Sequence, residues 1–287
     1  MNHYEVRTFE QTYTMYELRE PATQSAVTVC PARGGIATSL ILGGKSLFYL
    51  DEATLLDPNA NIRGGNPILF PICGQLEDKR YAWEGASYEM PNHGVARIKP
   101  WEVMHTRTEG AAAITLRLSS DEETLRHYPF DFELEFTYIL QDGALRIEQR
   151  YANRSAQPMP MYAGFHPYFA KTDKTIACAT DATRYLDYND GETKTLDGPI
   201  DLGGLVESVA LLDAKAPRIA FSLSEQCTVH MAYSDHFRYV VLWSVEGKPF
   251  VCVEPWMALT GELNRRQELP EVPAGETLEA WMTIGCS

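Results

Sequence analysis

The sequence predicts an all-β fold, a large antiparallel β-sandwich, on three observations. Strand-like alternation recurs along the whole chain, helix signal is sparse, and paired glycines punctuate the apolar runs. In 132–140, FELEFTYIL, large apolar residues stand at every second position and so share one sheet face. Gln141-Asp142-Gly143 follows as a short turn, and 144–151 alternates again, with Leu145, Ile147 and Tyr151 on one face. This pair reads as a long antiparallel hairpin. The runs 25–30, 46–50, 112–118, 239–245 and 250–253, and the closing 278–284, read as further strands. The clearest helix is 120–126, where Ser120 precedes Glu123 by three positions, as in a capping box. Gly34-Gly35, Gly43-Gly44, Gly64-Gly65 and Gly203-Gly204 mark turns or bulges. With no repeat and no linker-like stretch, residues 1–287 are expected to form a single domain.

Composition excludes several function classes. The chain is 45% hydrophobic, ample for a core, and carries a formal charge of −14 at neutral pH. Such a surface repels nucleic-acid phosphates and anionic lipid, so neither nucleic acid nor membrane is an expected partner. No apolar run approaches the ~18 residues a membrane span needs. The first twenty residues carry charges throughout, without the apolar core of a signal peptide. The six cysteines include no C-x-x-C pair and read as thiols in a reducing compartment, so the cytoplasm is the expected location.

Three segments offer chemistry. Asn92-His93-Gly94 places a glycine directly after a histidine, which permits a tight turn or close backbone approach to a ligand. Gly164-Phe165-His166-Pro167-Tyr168-Phe169 fixes a second histidine in extended backbone through the following proline. In Val251-Cys252-Val253-Glu254-Pro255-Trp256, alternation sets Cys252 and Glu254 on one face, a carboxylate that is costly to bury without a partner. Taken singly, each histidine reads equally well as a structural side chain, and Glu254 as a solvent-facing residue at a strand end. Two histidines and Glu254 form a possible zinc set, but no short metal-ligand spacing supports it, and no metal is expected. The chain has no G-x-S-x-G elbow, no P-loop and no G-x-G-x-x-G.

Taken together and in order, these pieces resemble the aldose 1-epimerase (galactose mutarotase-like) superfamily. The resemblance rests on Arg63-Gly64-Gly65-Asn66-Pro67, Asn92-His93-Gly94, Gly164 to Phe169 and Cys252-Val253-Glu254-Pro255. Tyr128-Pro129-Phe130-Asp131-Phe132 and Pro273-Ala274-Gly275-Glu276 extend it over nearly the whole chain. It implies a supersandwich of antiparallel sheets with a sugar pocket on one concave face, and interconversion of hexose anomers without a cofactor. It also implies roles: Glu254 as base, His166 as acid, His93 as a second pocket histidine. Arg63, Asn92, Arg97 and Asp187 then become expected substrate contacts, with Trp256 and Tyr168 as possible platforms for the sugar's apolar face. Mutarotation requires an acid and a base of opposite protonation, which leads to the expectation of an ionised Glu254 beside a charged His166.

The sequence leaves two alternatives open. Arg63 and Arg97 resemble the hexose-6-phosphate 1-epimerase branch, where arginines face an anion, whereas His166-Pro167-Tyr168-Phe169 is closer to the free-sugar branch. A sugar-binding protein that keeps the fold without turnover is the other alternative.

Overall fold

A computed structural model describes residues 3–287. Three antiparallel sheets dominate it. The first has five strands in chain order, Glu5–Glu10, Thr14–Glu20, Ser25–Cys30, Ile36–Leu42 and Lys45–Ser46. The second runs Cys178–Ala179, Arg218–Ser224, Cys227–Tyr233, Thr277–Cys286, Ala144–Asn153, Phe132–Gln141, Ala112–Ser119 and Glu102–Arg107. The third runs Glu192–Thr195, Arg184–Asp187, Val209–Leu211, Tyr239–Trp243, Phe250–Trp256, Gly164–Phe165 and Ile68–Leu69. The short strand Tyr168–Ala170 also pairs with Phe250–Trp256 in this sheet.

The expected hairpin spans Phe132–Gln141 and Ala144–Asn153, paired from Phe132↔Asn153 to Gln141↔Ala144. Its alternation is realised as burial: Phe132, Leu134, Phe136, Tyr138 and Leu140 point inward, as do Leu145, Ile147 and Tyr151. Each such side chain contributes roughly 1.5–3 kcal/mol of burial free energy. The turn is fastened from outside the hairpin. The fully buried Glu20 accepts the backbone N–H groups of Asp142 (3.2 Å) and Gly143 (2.7 Å). Tyr138 reaches across to the loop before the fourth strand of the first sheet, its hydroxyl donating to the Gly35 carbonyl at 2.6 Å.

Two local expectations need correction. The helix is Glu122–His127, and Asp121, not Ser120, caps it. Asp121 Oδ1 accepts from Thr124 N at 2.7 Å while Thr124 Oγ1 accepts from Asp121 N at 2.8 Å, so threonine fills the reciprocal place given to Glu123. The run 46–50 is a strand only at Lys45–Ser46, and then continues as single bridges at Phe48 and Leu50.

The strand Phe250–Trp256 positions the site. It is buried along its whole length because both of its faces are covered. Val251 and Val253 enter the main core, Cys252 packs with Tyr168 and Phe250, and Glu254 and Trp256 face an open cavity. A solvent-facing Glu254 is thereby ruled out. Among the described residues no helix is long and apolar enough to cross a membrane.

Candidate active site

A cavity of about 610 Å³ opens on the third sheet, lined by Arg63, Asn92, His93, His166, Glu254 and Trp256 among others. Its floor follows from strand register. Val241 pairs with Glu254, Tyr239 with Trp256 and Trp243 with Cys252. Alternation therefore delivers Val241, Trp243, Glu254 and Trp256 to one face. His166 directly follows the Gly164–Phe165 strand, whose Phe165 is in the core, and so turns to the opposite side. Gly164 permits this closeness: a Cβ there would meet Cys73 Sγ at 2.5 Å and the Pro255 carbonyl at 2.8 Å.

His93 arrives on a different element, a backbone reversal in which His93 (φ 62°) and Gly94 (φ 78°) are both left-handed. Two hydrogen bonds clamp it to Gly74. His93 N donates to Gly74 O at 2.8 Å, and Gly74 N donates to His93 Nδ1 at 3.0 Å. The second bond fixes the tautomer. Nδ1 is an acceptor, so the neutral ring carries its hydrogen on Nε2.

His166 and Glu254 meet at the centre. His166 Nδ1 lies 3.4 Å from Glu254 Oε1, and the side chains are 7% and 1% exposed. The geometry does not make a hydrogen bond, and Nδ1 has no other partner. The other carboxylate oxygen, Oε2, accepts from Trp256 Nε1 at 3.1 Å. The His166 ring stacks flat on Tyr168, with centroids 4.6 Å apart and planes at 7°, and meets His93 and Trp243 edge-on. These contacts leave the imidazole little rotational freedom.

Burial governs the electrostatics. It pushes Glu254 well above the usual carboxylate range, against the pull of the Trp256 hydrogen bond and the Arg97 charge. It pushes His166 well below the ordinary imidazole value, with the charges of Arg97 and Arg63 acting in the same direction. His93 is also lowered, by burial first and then by His166, Arg97 and Arg63. Burial thus drives both members of the central pair toward their neutral forms. At rest the pair therefore departs from the expected charged His166 beside an ionised Glu254, because desolvation and the charges of Arg97 and Arg63 all disfavour the imidazolium.

The other expected residues divide. Arg63 lines the cavity with its guanidinium carbon 5.2 Å from the centre of the Trp243 ring, and Asn92 lines it as well. Arg97 is half-buried and is not among the lining residues. Its guanidinium donates to Asn61 Oδ1 at 3.4 Å, while its charge registers on His93, His166 and Glu254. Asp187 is not among the lining residues. Its carboxylate is committed to Lys194 Nζ (2.6 Å) and to the Asn189 backbone and side chain (2.9 and 2.8 Å), and the neighbouring Tyr188 lines the cavity instead. Tyr168 supports His166 rather than lining the cavity; Trp256 does line it.

Sequence reasoning missed Trp243, Tyr188, Ser208 and Thr260 as lining residues. Trp243 had a usable signal, since it stands two positions beyond Val241 on the same face of a strand already recognised. The only group of three metal-ligating side chains among the described residues is His166, Cys252 and Glu254, whose ligand atoms lie within 4.8 Å of one another. His93 is not part of that group, so the set differs from the one the sequence suggested.

The chain matches the family model described as Aldose 1-epimerase over residues 16–284. The plasmid-borne protein LacX of Lactococcus lactis subsp. lactis is 26% identical over 273 residues, spanning 84% of this chain and 87% of LacX. The crystal structure of the Slr1438 protein from Synechocystis sp. PCC 6803 covers 100% of this chain and 98% of its own, at 35% identity and a TM-score of 0.91. A galactose mutarotase related enzyme from Lactobacillus acidophilus superimposes with a TM-score of 0.76 at 19% identity, covering 99% of this chain and 97% of that one. The last likeness is one of fold: the antiparallel sheets form a galactose mutarotase-like β-sandwich.

Proposed function

Because the chain belongs to the aldose 1-epimerase family, we propose that it interconverts the α and β anomers of a hexose by acid–base ring opening and closure, with Glu254 and His166 as the working pair. The observation that carries this reading is the 3.4 Å approach of His166 Nδ1 to Glu254 Oε1 on the wall of a cavity. Ring opening removes a proton from the C1 hydroxyl and delivers one to the ring oxygen. Both oxygens are bonded to the same carbon, so the base and the acid must stand side by side.

Protonation then follows the reaction. The pair holds one proton between its members. With that proton on His166, a carboxylate of raised basicity faces the C1 hydroxyl, and an imidazolium of raised acidity faces the ring oxygen. Opening transfers a proton from O1 to Glu254 and another from His166 to the ring oxygen. The product is an aldehyde beside a neutral carboxylic acid and a neutral imidazole. That is the charge state burial favours, so desolvation assists the opening step. After rotation about C1–C2 the two transfers run backwards on the other face of the carbonyl. His93 contributes a neutral Nε2–H donor to position an oxygen of the sugar, and Trp256 and Trp243 offer apolar faces to the ring.

Polarimetry tests this directly. Addition of the protein should accelerate the equilibration of freshly dissolved α-glucose or α-galactose in proportion to its concentration. A protein that gains thermal stability from these sugars without accelerating equilibration is a binding module.

A specific observation supports a second substrate class. Among the described residues neither Arg63 nor Arg97 has a carboxylate partner within ion-pair distance; Arg63 lines the cavity, and the charge of Arg97 reaches it from behind, which favours an anion such as a sugar 6-phosphate. Binding of glucose 6-phosphate that is tight, weakens with added salt and is lost in Arg97→Ala would favour the phosphosugar substrate. Equal affinity for glucose and its 6-phosphate would exclude it.

A further inference from the structure

We propose that Cys227 and Cys286 are a reversible disulfide pair that fastens the end of the Thr277–Cys286 strand to the Cys227–Tyr233 strand. Their sulfurs stand 2.6 Å apart. The approach is set by backbone register. Val229 pairs with Cys286, and Thr228 and Ser287 exchange two backbone hydrogen bonds of 2.9 and 3.0 Å. Cys227 therefore lies diagonally from Cys286 on the same sheet face. That is the inward face, shared with Val229, Met231, Met282 and Ile284. No other two cysteine sulfurs are in contact among the described residues.

The surroundings suit exchange chemistry. Cys286 is partly exposed, whereas Cys227 is buried. Lys45, on the last strand of the first sheet, brings its Nζ to 3.9 Å from Cys286 Sγ and donates to the carbonyl of Gln226. The charge of Lys45 reaches both sulfurs, and solvent access marks Cys286 as the attacking group. Burial, then contact with Cys286, pushes the Cys227 thiol up to about 12, consistent with its acting second.

The oxidant is a low-molecular-weight disulfide. The Cys286 thiolate attacks one of its sulfurs, forming a mixed disulfide and releasing one thiolate. Cys227 then loses its proton and attacks Cys286 Sγ, forming the internal S–S bond and releasing the second thiolate. Two protein thiols are oxidised and one small disulfide is reduced to two thiols. Neither cysteine lines the sugar cavity, so the bond acts on the stability of the strand end and not on turnover.

Incubating the intact protein with oxidised glutathione should lower the thiols titratable after denaturation from six to four. Peptide mass spectrometry should link the segments containing Cys227 and Cys286, and dithiothreitol should restore the thiols. The melting temperature should rise by about 5–10 °C on oxidation. Cys227→Ser and Cys286→Ser should each abolish that rise, while their melting temperatures under reducing conditions report any packing loss separately. Six titratable thiols after oxidation, a Cys286–glutathione adduct that never resolves, or the same rise in Cys227→Ser would overturn the proposal.

Discussion

His166 and Glu254, 88 positions apart in sequence, face each other at 3.4 Å with no hydrogen bond between them, and His166 Nδ1 has no other partner. A buried polar atom without a partner is costly, by about 1–3 kcal/mol. The cost is tolerable where a ligand completes the arrangement. If the pair works as proposed, stability and catalysis oppose each other there, with measurable consequences.

Glu254 should destabilise the folded protein at neutral pH. Its folded-state value is raised above 4.5, so the native state binds more protons than the unfolded chain above that pH. Stability contributed by the protonated form is complete below 4.5 and is lost as pH rises through the folded value. Urea denaturation at pH 8 should find Glu254→Gln more stable than wild type, with the gain shrinking toward pH 4.5. A destabilised Glu254→Gln protein at pH 8 would count against a buried carboxylate that lacks full compensation.

The two site histidines act in the opposite sense. Both are lowered below 6.5, so the unfolded chain binds more protons between the folded values and 6.5. Their contribution is complete above 6.5 and is lost as pH falls through the folded values. Lowering the pH from 7 to 5 should reduce wild-type stability more than that of His166→Gln. Parallel pH profiles for the two proteins would show that His166 titrates normally.

Arg63 should act on binding more than on turnover. Its guanidinium rests over Trp243, and it makes no side-chain hydrogen bond among the described residues, which leaves its donors free for a ligand. Arg63→Lys keeps the charge and loses the guanidinium over the Trp243 ring. KM should rise by about 3- to 10-fold with kcat within about twofold, measured by initial polarimetric rates. A fall confined to kcat would move Arg63 into the chemical step.

Gly94 should be among the least replaceable glycines. A Cβ there would lie 2.1 Å from the Phe70 carbonyl oxygen at φ +78°, and a shift would displace His93 beside it. Gly94→Ala should cost more than about 3 kcal/mol in urea denaturation. Gly43→Ala also has positive φ but meets nothing within 4 Å, and should cost about 1 kcal/mol. Similar losses at the two positions would show that the close approach at Gly94 is relieved easily.

Much of the fold was legible because strand periodicity is a local property: the hairpin from Phe132 to Asn153 can be read from alternation alone. The capping box was misplaced by one residue because Ser120–Glu123 and Asp121–Thr124 are equally good patterns, and only backbone geometry decides between them. Five of the expected site residues, Arg63, Asn92, His93, His166 and Glu254, converge on one cavity, which no local pattern could establish. The pairing of Asp187 with Lys194 was not legible in sequence, since it is made across a turn whose shape the sequence does not set. The resting charge state of His166 departs from the expectation for a related reason. Burial and the reach of Arg97 and Arg63 set it, and both depend on every layer of the fold.

In the proposed reaction Glu254 moves the proton of the C1 hydroxyl. That role is tested by the polarimetric rate of Glu254→Gln, with folding verified by thermal melting and sugar binding verified by calorimetry. Turnover should fall by about two to four decades while affinity for the sugar is largely kept. A folded, sugar-binding Glu254→Gln protein that equilibrates anomers at close to the wild-type rate would contradict the account.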